Sequence, residues 1–157
     1  MQILLFSSRE AAVDHYTKDN FHLTQSIGFA IVKARNVLGA EMDAAMAELD
    51  ITSQQMGIML SVTNGTATTP FELSKMLGID TGLMTRMLDK LEKKGLLQRS
   101  RSLEDRRVVD LTLTAKGEKV AARIPDLAPG VLNAHLKHFT KAEFEEFRRL
   151  LHKFLGS

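Results

Sequence analysis

The chain has 157 residues, 44% of them apolar and 25% charged, enough for one domain with a real core and too apolar for wholesale disorder. It contains no cysteine, so disulfides, thiolate metal sites, cysteine nucleophiles and thiol redox sensing are excluded together. No apolar run approaches the ~20 residues a membrane span needs, and the apolar opening Met1–Phe6 lacks a basic leader, so a cytoplasmic protein is expected. In chain order, residues 1–18 read as a short arm or helix. Residues 20–48 read as a long helix, because Leu23, Ile27, Ala30, Ala34, Val37 and Leu38 recur at helical spacing. Thr52 with Gln55 forms a capping box that opens a helix over 53–63, and Asn64-Gly65-Thr66 is a turn. Thr69 with Glu72 forms a second box, with Pro70 at the favoured first helical position, and opens a helix over 70–77. Gly78-Ile79 is the next turn, Asp80 an N-cap, and 81–94 a helix stopped by Gly95. Leu96–Arg101 and Arg107–Thr112 read as two strands of a hairpin, with Val109, Leu111 and Leu113 alternating with polar neighbours. Thr114 opens a helix to about Ile124, which Pro125 and Pro129 are expected to break or kink before helical pattern resumes over 130–138. Thr140 with Glu143 is a third box, ahead of a helix over 141–155 that carries Phe144, Phe147, Leu151 and Phe154 on one stripe. The expected fold class is mainly α with a small β-hairpin.

Net charge is only +2, but it is unevenly placed. Residues 86–123 carry eleven Lys/Arg against six Asp/Glu, a local balance of +5 that leaves the remainder at −3. Such a basic centre fits a polyanion partner, and it equally fits a solvated helix and turn. The residues from Thr69 to Thr114 sharpen the choice. A short capped helix turns at Gly78 into a second helix that hides Met84, Met87, Leu88 and Leu91 and leaves Thr81, Gly82, Thr85, Arg86, Asp89 and Lys90 on another face. Small hydroxyls and an arginine near the start of a helix suit reading of base edges in a major groove. Thr85 and Arg86 are the candidates for that reading, with Thr81 beside them. Lys90, Lys93, Lys94 and Arg99 would attract phosphate. The hairpin that follows carries Arg99, Arg101, Arg106 and Arg107 with Glu104 and Asp105 between them. An arginine on a narrow β-ribbon can enter a minor groove, and Asp105 is placed to orient Arg107 two residues on. Helix, turn, helix and arginine-bearing hairpin in that order make a winged helix.

The sequence resembles the MarR family of winged-helix transcriptional regulators, most closely over Ile51–Gly117. The resemblance rests on Ile51-Thr52-Ser53-Gln54-Gln55, on the run from Asp80 through Thr85, Arg86, Asp89 and Lys90 to Gly95-Leu96, on Asp105-Arg106-Arg107, and on Leu113-Thr114-Ala115-Lys116-Gly117. It implies a homodimer whose N- and C-terminal helices (residues 1–48 and 118–157) form the dimer core. Residues 49–117 would then be the DNA-binding lobe presented to a palindromic operator. It further implies a repressor released by a small phenolic or aromatic acid bound between dimer core and DNA lobe. No membrane partner and no cofactor are implied. Two features depart from a minimal member: the length before Asp19, and Pro125 and Pro129 in the fifth helix.

For the effector, an aromatic carboxylate needs apolar walls and a cation or hydroxyl. His22, Ser26 and Arg35 supply such groups, although each also reads as an ordinary surface residue. His135 and His138, three apart, offer a weak metal pair, and solvated or capping histidines explain them better. The eight methionines read as adaptable core filler. An enzyme is not expected: no Gly-rich phosphate loop, Gly-x-Ser-x-Gly or His-Glu-x-x-His is present. A helical adaptor that kept the winged helix for protein contacts is the remaining competitor, and four wing arginines argue against it.

Overall fold

The computed structural model describes residues 13–101 and 107–156. The helices are α1 (Ile27–Met46), α2 (Ser53–Thr63), α3 (Pro70–Leu77), α4 (Thr81–Lys93), α5 (Ala115–Leu136) and α6 (Lys141–Leu155), and an antiparallel hairpin of β1 (Leu97–Arg101) and β2 (Val109–Leu113) lies between α4 and α5. Most of the expected residues 1–18 arm lies outside the described residues. By internal packing the chain divides into two units, residues 1–36 and 37–157.

The three capping boxes form with both arms in place. In each, the threonine hydroxyl accepts from the backbone N–H three residues on, and the Gln or Glu side chain accepts from the threonine N–H. The boxes differ in charge. Hydrogen bonds from the backbone of Thr68 and Thr69 hold the Glu72 carboxyl below the usual range, and the backbone N–H of Thr140 does the same for Glu143. Gln55 builds the α2 box without a charge. A carboxyl whose folded value is depressed stabilises fully above its unfolded value, about 4.3, and loses that contribution as pH falls through the folded value. The melting temperature should therefore fall between pH 5 and 3. The double variant Glu72→Gln/Glu143→Gln, which keeps both acceptors, should fall less over the same interval.

The first long helix is shorter than its apolar periodicity predicts. A single 3-10 turn occupies Leu23–Gln25, and Ser26 is extended before α1 begins. The Ser26 hydroxyl accepts from the Phe29 N–H at 3.1 Å and donates to the Leu23 carbonyl at 2.8 Å. It thus caps α1 and bonds back to the turn before it, which sets the boundary that periodicity could not show. At the other end the backbone passes through a 3-10 turn at Ala47–Leu49 and leaves through Asp50, whose φ of 53° is left-handed. Aspartate is one of the few side chains that tolerate that conformation.

The second correction concerns the prolines. α5 runs unbroken from Ala115 to Leu136 with Pro125 and Pro129 inside it. Each proline removes one backbone donor, and the four-residue spacing puts both losses on one stripe of the helix. Both prolines are exposed, whereas Ala121, Ile124, Leu127, Ala128 and Val131 pack on the core. Packing of that apolar face holds the helix through the two missing bonds.

The hairpin is offset from expectation. β1 starts at Leu97 because the Leu96 N–H still bonds to the Leu91 carbonyl at 3.0 Å as part of the α4 exit. β2 is Val109–Leu113, and Leu97 pairs with Leu113, Arg99 with Leu111, and Arg101 with Val109. The loop before α3 docks on β2 through a bond from the Leu111 N–H to the Thr68 carbonyl, 2.8 Å. The fully buried core, Met46, Ile58, Met59, Leu73, Met84, Leu88, Leu91, Leu97, Leu111 and Ile124, lies behind α3, α4 and the hairpin and makes them one rigid platform. Three of the eight methionines, Met46, Met59 and Met84, are in that core as filler, and Met42 and Met87 are buried beside them.

Candidate nucleic-acid interface

The turn between α3 and α4 is set by Gly78, whose φ of 62° a Cβ would penalise and whose N–H closes on the Ser74 carbonyl. Asp80 then accepts from the Leu83 N–H at 2.9 Å and starts α4. Met84, Met87, Leu88 and Leu91 face inward, and Thr81, Gly82, Thr85, Arg86, Asp89, Lys90 and Lys93 face solvent. The Thr85 hydroxyl donates to the Thr81 carbonyl at 2.9 Å, so its proton is spent on the helix and its methyl and lone pairs point outward. Arg86, Lys90, Lys93 and Arg101 make no hydrogen bond or ion pair among the described residues.

Four other cations of the basic centre, Lys94, Arg99, Lys116 and Arg123, are engaged. Lys94 reaches Asp50, 3.0 Å from its carboxylate, and also donates to its carbonyl. Lys116 donates to the Lys94 carbonyl at 2.8 Å. Arg123 pairs with Glu48. Arg99 lies against α4, 2.7 Å from Asp89 and 3.5 Å from Glu92. Sequence reading missed these pairings. The one signal for Arg99 was strand alternation, which puts it on the same face as buried Leu97, toward α4 rather than toward open solvent. Arg107 is exposed in the turn two residues before β2, while Asp105 and Arg106 lie outside the described residues.

The candidate effector groups are not brought together. His22 and Arg35 are exposed, Ser26 is buried in its capping role, and no hydrogen bond joins the three. Nine residues at ~100° each put Arg35 about half a turn around α1 from Ser26. His135 meets Glu41 at 2.7 Å and His138 sits in the turn after α5. Among the described residues no three His, Asp or Glu side chains converge as a metal site, and no helix is long and apolar enough to cross a membrane.

A short helix, a glycine turn, a second helix with an unpaired cationic face and a two-stranded wing define a winged helix-turn-helix DNA-binding protein. The MarR family description matches residues 51–109. The multiple antibiotic resistance protein MarR of Escherichia coli is 31% identical over 140 residues, 88% of this chain and 97% of that one. An HTH-type transcriptional repressor of Mycobacterium tuberculosis is 28% identical over 131 residues, covering 83% and 94%. A solved structure of mutant Escherichia coli MarR complexed with operator DNA superposes with a TM-score of 0.75 at 30% identity, covering 82% of this chain and 92% of that one. Bordetella bronchiseptica BpsR, in a structure concerned with regulation of its DNA binding by 6-hydroxynicotinic acid, is similar in fold, with a TM-score of 0.77 at 20% identity over 87% and 98% of the two chains. The chain belongs to the MarR family. It is a transcriptional regulator of the winged-helix, DNA-binding kind, and not an enzyme.

Proposed function

We propose that the protein is a repressor that binds a palindromic operator as a homodimer and releases it when a small aromatic carboxylate or phenol binds. The observation that carries the DNA contacts is the cationic face of α4, where Arg86, Lys90 and Lys93 stand unpaired beside Thr81 and Thr85. In this reading Thr85 and Arg86 read bases in the major groove, and Lys90 and Lys93 attract phosphate. Arg101, Arg106 and Arg107 serve the wing, with Asp105 orienting Arg107 into the minor groove. Residues 49–117 form the DNA-binding lobe, and helices from 1–48 and 118–157 supply the dimer core. The repressor role is supported by the Mycobacterium tuberculosis relative. The effector class is supported by the absence of cysteine and by BpsR, whose regulation by 6-hydroxynicotinic acid is of the same chemistry. His22 or Arg35, both exposed, would anchor the carboxylate, and Ser26 sets the start of α1 between them in the chain.

Titration of upstream intergenic DNA with the purified protein, over a range of salt and with and without salicylate-like acids, tests this reading. Arg86→Ala should cost roughly 1–3 kcal/mol on the operator and relax base preference at one position per half-site. Lys93→Ala should weaken all sequences alike and flatten the salt dependence by about one counterion. Unchanged specific binding by Arg86→Ala would move the recognition face elsewhere, and unchanged binding with millimolar aromatic acid would remove the effector.

A further inference from the structure

We infer that Arg99 is a positioning residue, which locks the first wing strand to the recognition helix through Asp89 and Glu92 instead of contacting phosphate. The inference rests on the reading of α4 and the wing as the DNA-contacting surfaces. Arg99 follows Leu97 on the inward face of β1, and its side chain is only 28% exposed. Its Nη2 donates to Asp89 Oδ1 at 2.7 Å and, at 3.5 Å, to the Thr85 carbonyl, while Nη1 lies 3.5 Å from Glu92 Oε2. Thr85, Asp89 and Glu92 are spaced i, i+4, i+7, so one stripe of α4 supplies all three acceptors. A planar guanidinium with donors on both arms can span such a stripe, and a lysine ammonium cannot.

The arrangement has two consequences for DNA binding. The wing and α4 must enter different grooves of one duplex, so their mutual angle decides whether both can engage. The clasp is a side-chain link that ties β1 to α4 beyond the edge of the core. It also gives Asp89 and Glu92, which stand on the recognition helix as two negative charges, a cation of their own. Arg99 is therefore already committed before DNA arrives, unlike Arg86, Lys90 and Lys93.

The two roles predict opposite signs for one substitution. If Arg99 is a phosphate contact restrained by Asp89, then Asp89→Asn frees a cation, removes a repelling charge, and tightens binding. If Arg99 is the clasp, Asp89→Asn weakens binding. The test is operator and random-sequence titration of the full-length protein over a range of salt, with thermal melting of each variant. Arg99→Gln and Asp89→Asn should each weaken operator binding about five- to tenfold, and together should weaken it little further. Neither should change the slope of log affinity against log salt, and both should leave random-sequence binding nearly unchanged. Arg99→Lys should fail to restore operator affinity although it keeps the charge. Tighter binding by Asp89→Asn, or a slope reduced by about one in Arg99→Gln, overturns the clasp. If Arg99→Gln lowers the melting temperature too far to titrate, Asp89→Asn and Arg99→Lys decide by the same signs. Arg86→Ala run in parallel separates the two levels: an unaffected Arg86→Ala overturns the DNA-contact reading and this inference with it, whereas a weakened Arg86→Ala beside additive, slope-reducing Arg99 effects overturns the clasp alone.

Discussion

Gly117→Ala should destabilise the protein by more than about 3 kcal/mol, a loss in the range of severe overpacking, and should lower the melting temperature by roughly 10 °C or more. A Cβ at this position would stand 1.9 Å from the Leu96 carbonyl oxygen and 2.9 Å from its carbon. The obstacle is backbone, so no rotamer change can relieve it. Moving the start of α5 outward is also closed off. The Thr114 N–H donates to the same Leu96 carbonyl at 3.1 Å, and the Thr114 hydroxyl donates to the Gly95 carbonyl at 2.6 Å while accepting from the Gly117 N–H at 3.1 Å. The glycine is therefore the point where α5 is drawn against the exit of the recognition helix. DNA affinity should fall with stability, since both wing strands are anchored at this crossing. Gly130→Ala is the matched control: it also lies within α5, nothing stands within 4 Å of its Cβ, and it should gain about 0.5–1 kcal/mol. Thermal melting of the pair measures both. Equal tolerance at 117 and 130 would mean that α5 can slide along Leu96 without loss.

The winged helix was legible because its instructions are local. Capping boxes, the Gly78 turn and Asp80 are each decided within a few residues and formed where the pattern put them, and the alternating Val109, Leu111 and Leu113 all fall in β2 although the strand starts two residues later than expected. Boundaries decided by tertiary contact were not legible. Nothing in the local pattern around Pro125 and Pro129 shows that Ile124, Leu127 and Val131 are clamped on the core, so the break expected there does not occur. Nor does apolar periodicity show where Ser26 caps, because periodicity reports which face is buried and not which N–H groups are satisfied. The cationic surface divides the same way. Composition counts Arg86, Arg99, Lys93 and Lys94 alike, but only spatial pairing separates the unpaired from the engaged. Lys94 finds Asp50 from 44 positions away, and Arg99 finds Asp89 across the α4–β1 turn. Gly117 belonged to a recognisable motif, yet the reason for a glycine there is an approach of two backbones that no one-dimensional pattern encodes.

Deleting residues 141–157 should abolish the proposed homodimer and leave a chain that aggregates or unfolds. α6 has fifteen residues and none of them is buried in the single chain. Phe144, Phe147, Leu150, Phe154 and Leu155 are 36%, 45%, 46%, 62% and 73% exposed. Isolated helices shorter than ~12–15 residues are marginal in water even with good sequences, so the Thr140–Glu143 box and two i,i+3 Glu–Arg pairs cannot alone sustain this one. An apolar stripe of that width needs a cover, and a two-fold related second copy supplies the same stripe in return. Two recognition helices would then be held about one DNA turn apart, ~34 Å, to meet the two halves of a palindrome. Linking two half-site contacts in one particle raises operator affinity by roughly 10²–10⁴ over a single lobe. A gentler variant, Phe147→Asp/Phe154→Asp, should therefore shift sedimentation toward the monomer and lose operator affinity by a factor in that range. The slope of its salt dependence should fall to about half, because one lobe releases half the counterions. Sedimentation and operator titration on the same preparations measure both. A soluble, cooperatively melting monomer after the cut at Thr140 would show that the rest of the chain folds without the dimer, and an unchanged dimer in Phe147→Asp/Phe154→Asp would show that α6 is covered by something other than a second copy.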